Sequence, residues 1–279
     1  VESLALLWNE GILRPMVNSL VLLYALVGHN LGVAIILFTI IIRLVTFPLT
    51  LKQLKQSKAM ADLQPKLAEI QKRYAKDPRK RSEETMRLYR QAGVNPLGCL
   101  GPLLIQFPIW IGLYQTLVEA VPSTPDSLLA LSKRLYPWLP LLHQQIPLDN
   151  RFLWLNLGTP DPTPFLPLLV GLSMWVQQKM STYPTPDPRQ QQMNQMLLWM
   201  MPFMFILFTF RFPSGLALYW VVSNVVGIVM QYFITGWGGL EELWKRRPKE
   251  SPAPQQAHPS PSGGGTRAGE GQGKPPHSP

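Results

Sequence analysis

No aspartate or glutamate falls inside any long apolar run of this chain, so no acid within those runs can neutralise a buried cation. The single cysteine, Cys99, forbids an internal disulfide and leaves a small apolar side chain as its plainest role. The four histidines (29, 143, 258 and 277) are scattered and lack metal-ligand spacing. There is no Gly-x-Ser-x-Gly and no acid pair beside a nucleophile. Gly273-Lys274 is not a phosphate loop, because Ala268 stands where the first glycine is needed and Pro275 where a Ser or Thr is needed. These absences exclude hydrolytic and nucleotide-driven chemistry. The expectation is a chain that is not an enzyme and takes no cofactor.

Charge is scarce as well, at 15% of residues against 46% hydrophobic, and the apolar residues come in blocks. Five blocks (31–51, 97–118, 163–181, 193–211 and 214–236) approach or exceed the roughly 20 residues that a helix needs to cross a bilayer. Their uninterrupted apolar character argues against a β-barrel. The expected fold is therefore an all-α integral membrane bundle of five transmembrane helices.

Lys and Arg set the orientation. Between Lys52 and Arg90 there are 12 Lys/Arg and 5 Asp/Glu, a net +7, whereas the outer loop 119–162 has a net −1. Positive segments stay in the cytoplasm. The first span then runs inward, the N-terminus lies outside, and the C-terminus with Lys245, Arg246, Arg247 and Lys249 lies in the cytoplasm.

Residues 1–30 carry an apolar helical face (Ile12, Leu13, Met16, Val17, Leu20, Leu23, Tyr24, Val27) and no basic leader or small-residue cleavage site. They read as an interfacial helix on the outer leaflet. A sixth span is the alternative, although only His29 and Asn30 would join it to the next one. A cytoplasmic loop is expected at 182–192. The Pro-, Gly- and Ser-rich segment 241–279 has the composition of a disordered tail.

Arg43 lies inside the first apolar block, in Ile40-Ile-Ile-Arg43-Leu-Val. A cation in hydrocarbon costs roughly 2.5–3.5 kcal/mol on insertion scales. With no acid to pair it, Arg43 implies a wet pocket between helices that attracts anions. The competing reading is that it snorkels toward the cytoplasmic face.

Residues 52–96 form the one sizeable soluble element. Met60, Leu63, Leu67, Ile70 and Tyr74 are spaced 3, 4, 3, 4, a coiled-coil seam that Pro65 should kink and Asp77-Pro78 should end. Ser82 with Glu83 and Glu84 reads as the start of a second helix carrying Met86 and Tyr89 and stopping at Gly93. Together these predict a basic antiparallel hairpin. Part of its charge is a topology signal and a solvated face. The rest suits anionic headgroups, ribosomal RNA or an acidic partner. No aromatics interleave with the charges, so sequence-specific nucleic-acid binding is not expected.

Arg43 with Pro48-Leu-Thr-Leu-Lys52, Leu63-Gln-Pro-Lys66, Leu88-Tyr-Arg-Gln-Ala-Gly-Val-Asn-Pro96 and Leu104-Ile-Gln-Phe-Pro-Ile-Trp110 resemble the YidC/Oxa/Alb membrane-protein insertases. So do Trp175-Val-Gln-Gln-Lys-Met180, Asp187-Pro188, Phe212-Pro-Ser-Gly-Leu-Ala-Leu-Tyr-Trp220 and Ser223-Asn224. The match runs in order over about residues 10–240 and looks like the short bacterial type without a large extracytoplasmic domain.

The resemblance implies a non-enzymatic insertase and chaperone of the bacterial inner membrane. Its hydrophilic groove would be open to cytoplasm and lipid and closed outside. Arg43 would be the groove cation, and Gln106 and Asn224 would lie near it. Tyr219 and Trp220 would sit on the aromatic slide of the last span. Lys58, Lys66, Arg73 and Asp187 would contact cytoplasmic partners. Those partners would be nascent membrane proteins with short acidic tails, the lipid bilayer, the Sec translocon and the ribosome. Gln106 and Asn224 read equally well as helix-to-helix hydrogen-bonding residues, and Trp220 as an interface-belt aromatic. A small-solute transporter fits poorly, since the spans have no acids and no duplicated pattern. A pure scaffold for membrane complexes stays open.

Overall fold

The computed structural model describes residues 2–94, 100–120, 125–182 and 188–241. The chain opens with α1 (Glu2–Trp8), a π-helical turn (Asn9–Leu13) and α2 (Arg14–Leu26). The apolar side of α2 is fully buried at Val17, Leu20 and Val21. It packs on α3 (Leu31–Val45), which Asn30 caps by accepting from the Val33 N–H at 3.0 Å.

The first apolar block does not continue as one helix to residue 51, as expected. α3 ends at Val45, and the following α4–α5 segment, Phe47–Arg73, departs at 62°. Pro48 is the physical reason, because it lacks the N–H that would bond the Leu44 carbonyl. Arg43 therefore lies in the last turn of its helix rather than mid-helix.

The hairpin is built from α4 (Phe47–Asp62), α5 (Gln64–Arg73) and α6 (Pro78–Gln91). The predicted break occurs at Leu63, with Pro65 in the first turn of α5. Met60, Leu63 and Leu67 pack with Leu88, Tyr89 and Val94. Two expectations need correction. Asp77, not Ser82, caps α6, accepting from the Arg79 and Lys80 N–H groups at 3.1 Å each. Pro78 at the first helical position starts the helix five residues earlier than a Ser82 cap would. Met86 is exposed and takes no part in the seam.

α7 (Leu100–Ala120) is followed by α8 (Pro125–Arg134), α9 (Pro140–His143) and a two-stranded antiparallel hairpin, β1 (Arg151–Phe152) and β2 (Leu155–Asn156). The segment expected as an outer loop is thus largely structured. α10 (Phe165–Ser181), α11 (Pro188–Thr209) and α12 (Ser214–Thr235) follow, and a 3-10 turn (Gly238–Leu240) that packs on α10 comes last. α12 packs against α3 and α10, and α10 against α11.

All five apolar blocks are helical, and the fold is mostly helical as expected. Among the described residues, however, only α12 is by itself long and apolar enough to cross a membrane. α3 and the Phe47–Arg73 segment pass that test together, as a bent pair. With 15 and 17 residues, α3 and α10 reach only about 22 and 25 Å at 1.5 Å per residue.

Candidate functional site: two faces of the last helix

α12 is buried at its start, where Ser214, Gly215, Leu216 and Ala217 all lie inside the protein. Its N-terminus is tied to the β-hairpin region. The Ser214 hydroxyl donates to the Asn156 carbonyl (2.7 Å), and the Ser214 and Gly215 N–H groups donate to the Thr159 and Leu157 carbonyls (2.8 and 3.0 Å). The first turn of α3 meets the same element, because the Phe152 ring covers Gly32 so closely that a Cβ there would collide with it.

From this shared end the two helices run in parallel register. Ile35 Cδ1 is 3.5 Å from where a Gly215 Cβ would stand. Eight residues further along each helix, about 12 Å, the Arg43 Nε and Nη2 groups donate to the Ser223 hydroxyl oxygen at 2.9 and 2.6 Å. Ser223 is 3% exposed and sits near the middle of α12. Arg43 is thus at the end of its own helix yet level with the centre of the longest apolar one.

Ser223 takes two of the five guanidinium N–H donors. The other three have no protein acceptor among the described residues, and no described carboxylate forms a salt bridge with Arg43. The Tyr219 phenol, one turn before Ser223, is close enough to interact electrostatically with the guanidinium. Ile41, Leu44 and Val45 on either side of Arg43 are exposed. The cation therefore sits half-buried at the edge of an apolar surface, with donors to spare.

The second face of α12 carries Trp220, Asn224, Gly227 and Gln231, spaced 4, 3, 4. Its N-terminal part is aromatic. Trp220 stacks on Trp110 (6.3 Å, 15°) and meets Phe205 and Phe212 edge-on at 5.0 and 6.1 Å. Its C-terminal part is a polar seam with α10. Asn224 Nδ2 donates to the Ser173 hydroxyl (3.1 Å), and the Ser181 hydroxyl donates to Gln231 Oε1 (3.1 Å). Between them the Nε2 end of the Gln177 amide presses on Gly227, where a Cβ would displace it.

The structure brings together Arg43, Ser223 and Tyr219, and separately Trp220 and Asn224. Asn224 points at Ser173 rather than at Arg43, which is the helix-bridging arrangement. Trp220 is 8% exposed and Tyr219 is also buried, so neither presents an open slide in this arrangement. The exposed stripe of α12 is instead Val225, Val229, Tyr232 and Phe233.

Gln106 lies in α7, but its side chain falls outside the described residues, as does Asp187 altogether. Lys58, Lys66 and Arg73 are exposed on the basic hairpin. Ser223 as the partner of Arg43, and Ser173, Ser181 and Gln231 in the seam, were not singled out from sequence. The repeat of polar or small residues every third or fourth position on both helices was the available signal. Among the described residues no group of His, Cys, Asp and Glu could hold a metal ion.

A helical membrane protein with a carboxylate-free arginine held by one buried serine is the class that this fold and site define. The chain belongs to the YidC/Oxa/Alb insertase family: the family model described as 60Kd inner membrane protein matches residues 22–238. It is 35% identical over 254 residues to the membrane protein insertase MisCA of Bacillus subtilis (strain 168), covering 90% of this chain and 84% of that protein. It is 43% identical over 224 residues to the membrane protein insertase YidC of Tolumonas auensis, covering 80% of this chain and 36% of the relative. A solved structure of an active YidC insertase, with its first transmembrane domain resolved, aligns with a TM-score of 0.50 at 27% identity. That alignment covers 76% of this chain and 43% of the solved one, so the chain spans well under half of its longer relatives.

Proposed function

We propose that this chain is a membrane protein insertase that moves short membrane proteins from the cytoplasm into the inner membrane, with Arg43 as the attracting charge of a hydrophilic groove. In this reading α3, α7, α10, α11 and α12 are the five spans, the N-terminus lies outside, and the hairpin and C-terminus lie in the cytoplasm. α1 and α2 lie toward the outer leaflet. The observation that carries the reading is a guanidinium level with the middle of α12, bound only to Ser223 among the described residues, beside a helix that bends away by 62° just beyond it. Past that bend α4 leaves the line of α3 and packs against α12 less extensively than α3 does. Water entering from the cytoplasmic side would solvate the three free N–H groups.

The barrier to insertion is desolvation of the substrate's polar, acidic tail. A wet recess reaching to Arg43 shortens the dry path, and the cation draws the carboxylates in. That attraction reaches about 4 kcal/mol at 4 Å for an effective dielectric constant near 20. The aromatic cluster around Trp220 then forms the dry outer end of the recess. The substrate's apolar segment leaves sideways into lipid along the exposed side of α12, driven by burial at about 25 cal/mol per Å². The exposed Lys58, Lys66 and Arg73 meet the incoming chain, with Sec translocon and ribosome as the partners at that face.

The test is insertion into liposomes containing the purified protein, using single-span substrates that differ only in an acidic or neutral tail. Arg43→Lys should keep most activity. Arg43→Ala should lose about tenfold and Arg43→Glu more, for acidic tails only, since tenfold corresponds to about 1.4 kcal/mol of that attraction. Equal loss for both tails would show that Arg43 only supports the fold.

A further inference from the structure

The β-hairpin has a tip that would be costly in water. Its two-residue loop is Leu153-Trp154, and Leu153 stands at φ +53, a left-handed conformation that hairpin loops normally give to Gly, Asn or Asp. A branched apolar residue is strained there by its Cβ. Leu153 is also 76% exposed, and Trp154 is 51% exposed. A strained backbone that displays two large apolar side chains marks a functional contact rather than a folding device.

The surroundings of the tip name the contact. The Trp154 ring meets Phe165, the first residue of α10, edge-on at 5.5 Å. Phe165, Leu168 and Leu172 are all exposed and spaced 3 and 4 apart, so they form one outward stripe of α10. The tip extends that stripe by one turn. Tryptophan with flanking aliphatics suits the headgroup–acyl boundary, and the exposed Arg151 beside it suits lipid phosphate. The base of the hairpin, by contrast, is fixed to protein. Phe152 covers Gly32 at the start of α3, and the following carbonyls hold Ser214 and Gly215 at the start of α12.

We infer that the Leu153-Trp154 tip is a lipid anchor. It dips into the outer-leaflet interface and fixes the depth of the α3 and α12 N-termini, and through their shared register the depth of Arg43 and Ser223. The inference rests on the five-span reading above, in which this end of α10 faces the outer leaflet.

The test uses full-length protein in phosphatidylcholine liposomes, with Cys99→Ser and single cysteines carrying an NBD label. The sites are Leu153→Cys, Trp154→Cys, Leu172→Cys on the α10 stripe, and Gln144→Cys as an exposed polar control. Lipids with a doxyl group at C5 or C12 and aqueous iodide serve as quenchers. The Leu172 label should be quenched most by C12-doxyl, the two tip labels most by C5-doxyl, and Gln144 by iodide alone. Adding Leu153→Asp to the Leu172→Cys protein should shift its quenching from C12 toward C5. If Leu172 is quenched by lipid but both tip labels respond only to iodide, the anchor is wrong while the five-span reading stands. If Leu172 itself is quenched only by iodide, the five-span reading fails first. An unchanged Leu172 depth in the Leu153→Asp variant overturns the depth-setting role.

Discussion

The helices around α12 and the basic hairpin α4–α6 are both held by seams of side chains at helical spacing, but they bury very different amounts. Around α12 the core draws on α2, α3, α7, α10 and α12 itself, and residues such as Leu20, Leu31 and Leu216 are fully inaccessible. In the hairpin only Leu63, Leu67 and Val94 are buried, and each keeps some exposure. Stability therefore concentrates around the helices that carry Arg43 and Ser223. It thins out in an arm that carries +7 in water and can open locally at low cost.

The largest expected effect breaks the comparison outright. Replacing residues 58–92 with a Gly/Ser linker should leave a folded, membrane-inserted bundle whose melting temperature in detergent stays close to that of the intact chain, while liposome insertion is lost. Full insertion activity in that variant would remove the hairpin from the mechanism.

Next come paired truncations. Leu20→Ala should cost about 2–5 kcal/mol of bundle stability, as expected for a fully buried leucine. Leu67→Ala should leave the bundle's melting temperature alone and instead speed hydrogen exchange across α5 and α6. Equal shifts in melting temperature would mean that the two regions unfold as one unit.

Gly227→Leu probes the polar seam. The added side chain must displace the Gln177 amide, so a cost of about 1–3 kcal/mol in thermal stability is expected. Gly227→Ala should show a smaller cost of the same sign.

Ser223→Ala removes both hydrogen bonds that the Arg43 guanidinium makes among the described residues. Because water can replace a hydroxyl at a wet site, acidic-tail insertion should fall only about two- to threefold, corresponding to roughly 0.5 kcal/mol. A loss as large as that of Arg43→Ala would show that the cation is dry and depends on Ser223 alone.

The smallest effect concerns the hairpin cap. Asp77→Ala should destabilise α6 by about 1 kcal/mol, measured by hydrogen exchange at Arg79–Arg81, whereas Ser82→Ala should be near neutral.

Much of this was legible in residue order. Apolar runs mark α7, α10 and α12 to within about three residues, because burial or lipid contact at every turn requires them, whereas the first run overshoots the end of α3 and the fourth misses the polar first turn of α11. The 3–4 spacing of Met60, Leu63 and Leu67 marks the hairpin seam, and the charge split between 52–90 and 119–162 marks a polarity. The end of α6 at Gly93 was readable too, since its φ of +66 favours glycine. The start was misread because Asp77 and Ser82 are both good caps, and Pro78 decided between them.

What composition and spacing settled alone is local: which stretches become helix, where prolines interrupt them, and that one arginine has no acid within its apolar block. Pairing and orientation were decided only in three dimensions. Ser223 lies 180 residues from Arg43, and nothing in either neighbourhood names the other. Their meeting follows from the register that the β-hairpin imposes on α3 and α12 by binding both N-termini. Trp220 and Asn224 face an adjacent side of α12, where Phe205, Trp110 and Ser173 meet them. A side chain's type is written in the chain, but the neighbour it meets depends on helix rotation and axial offset, and those emerge only when every helix packs at once.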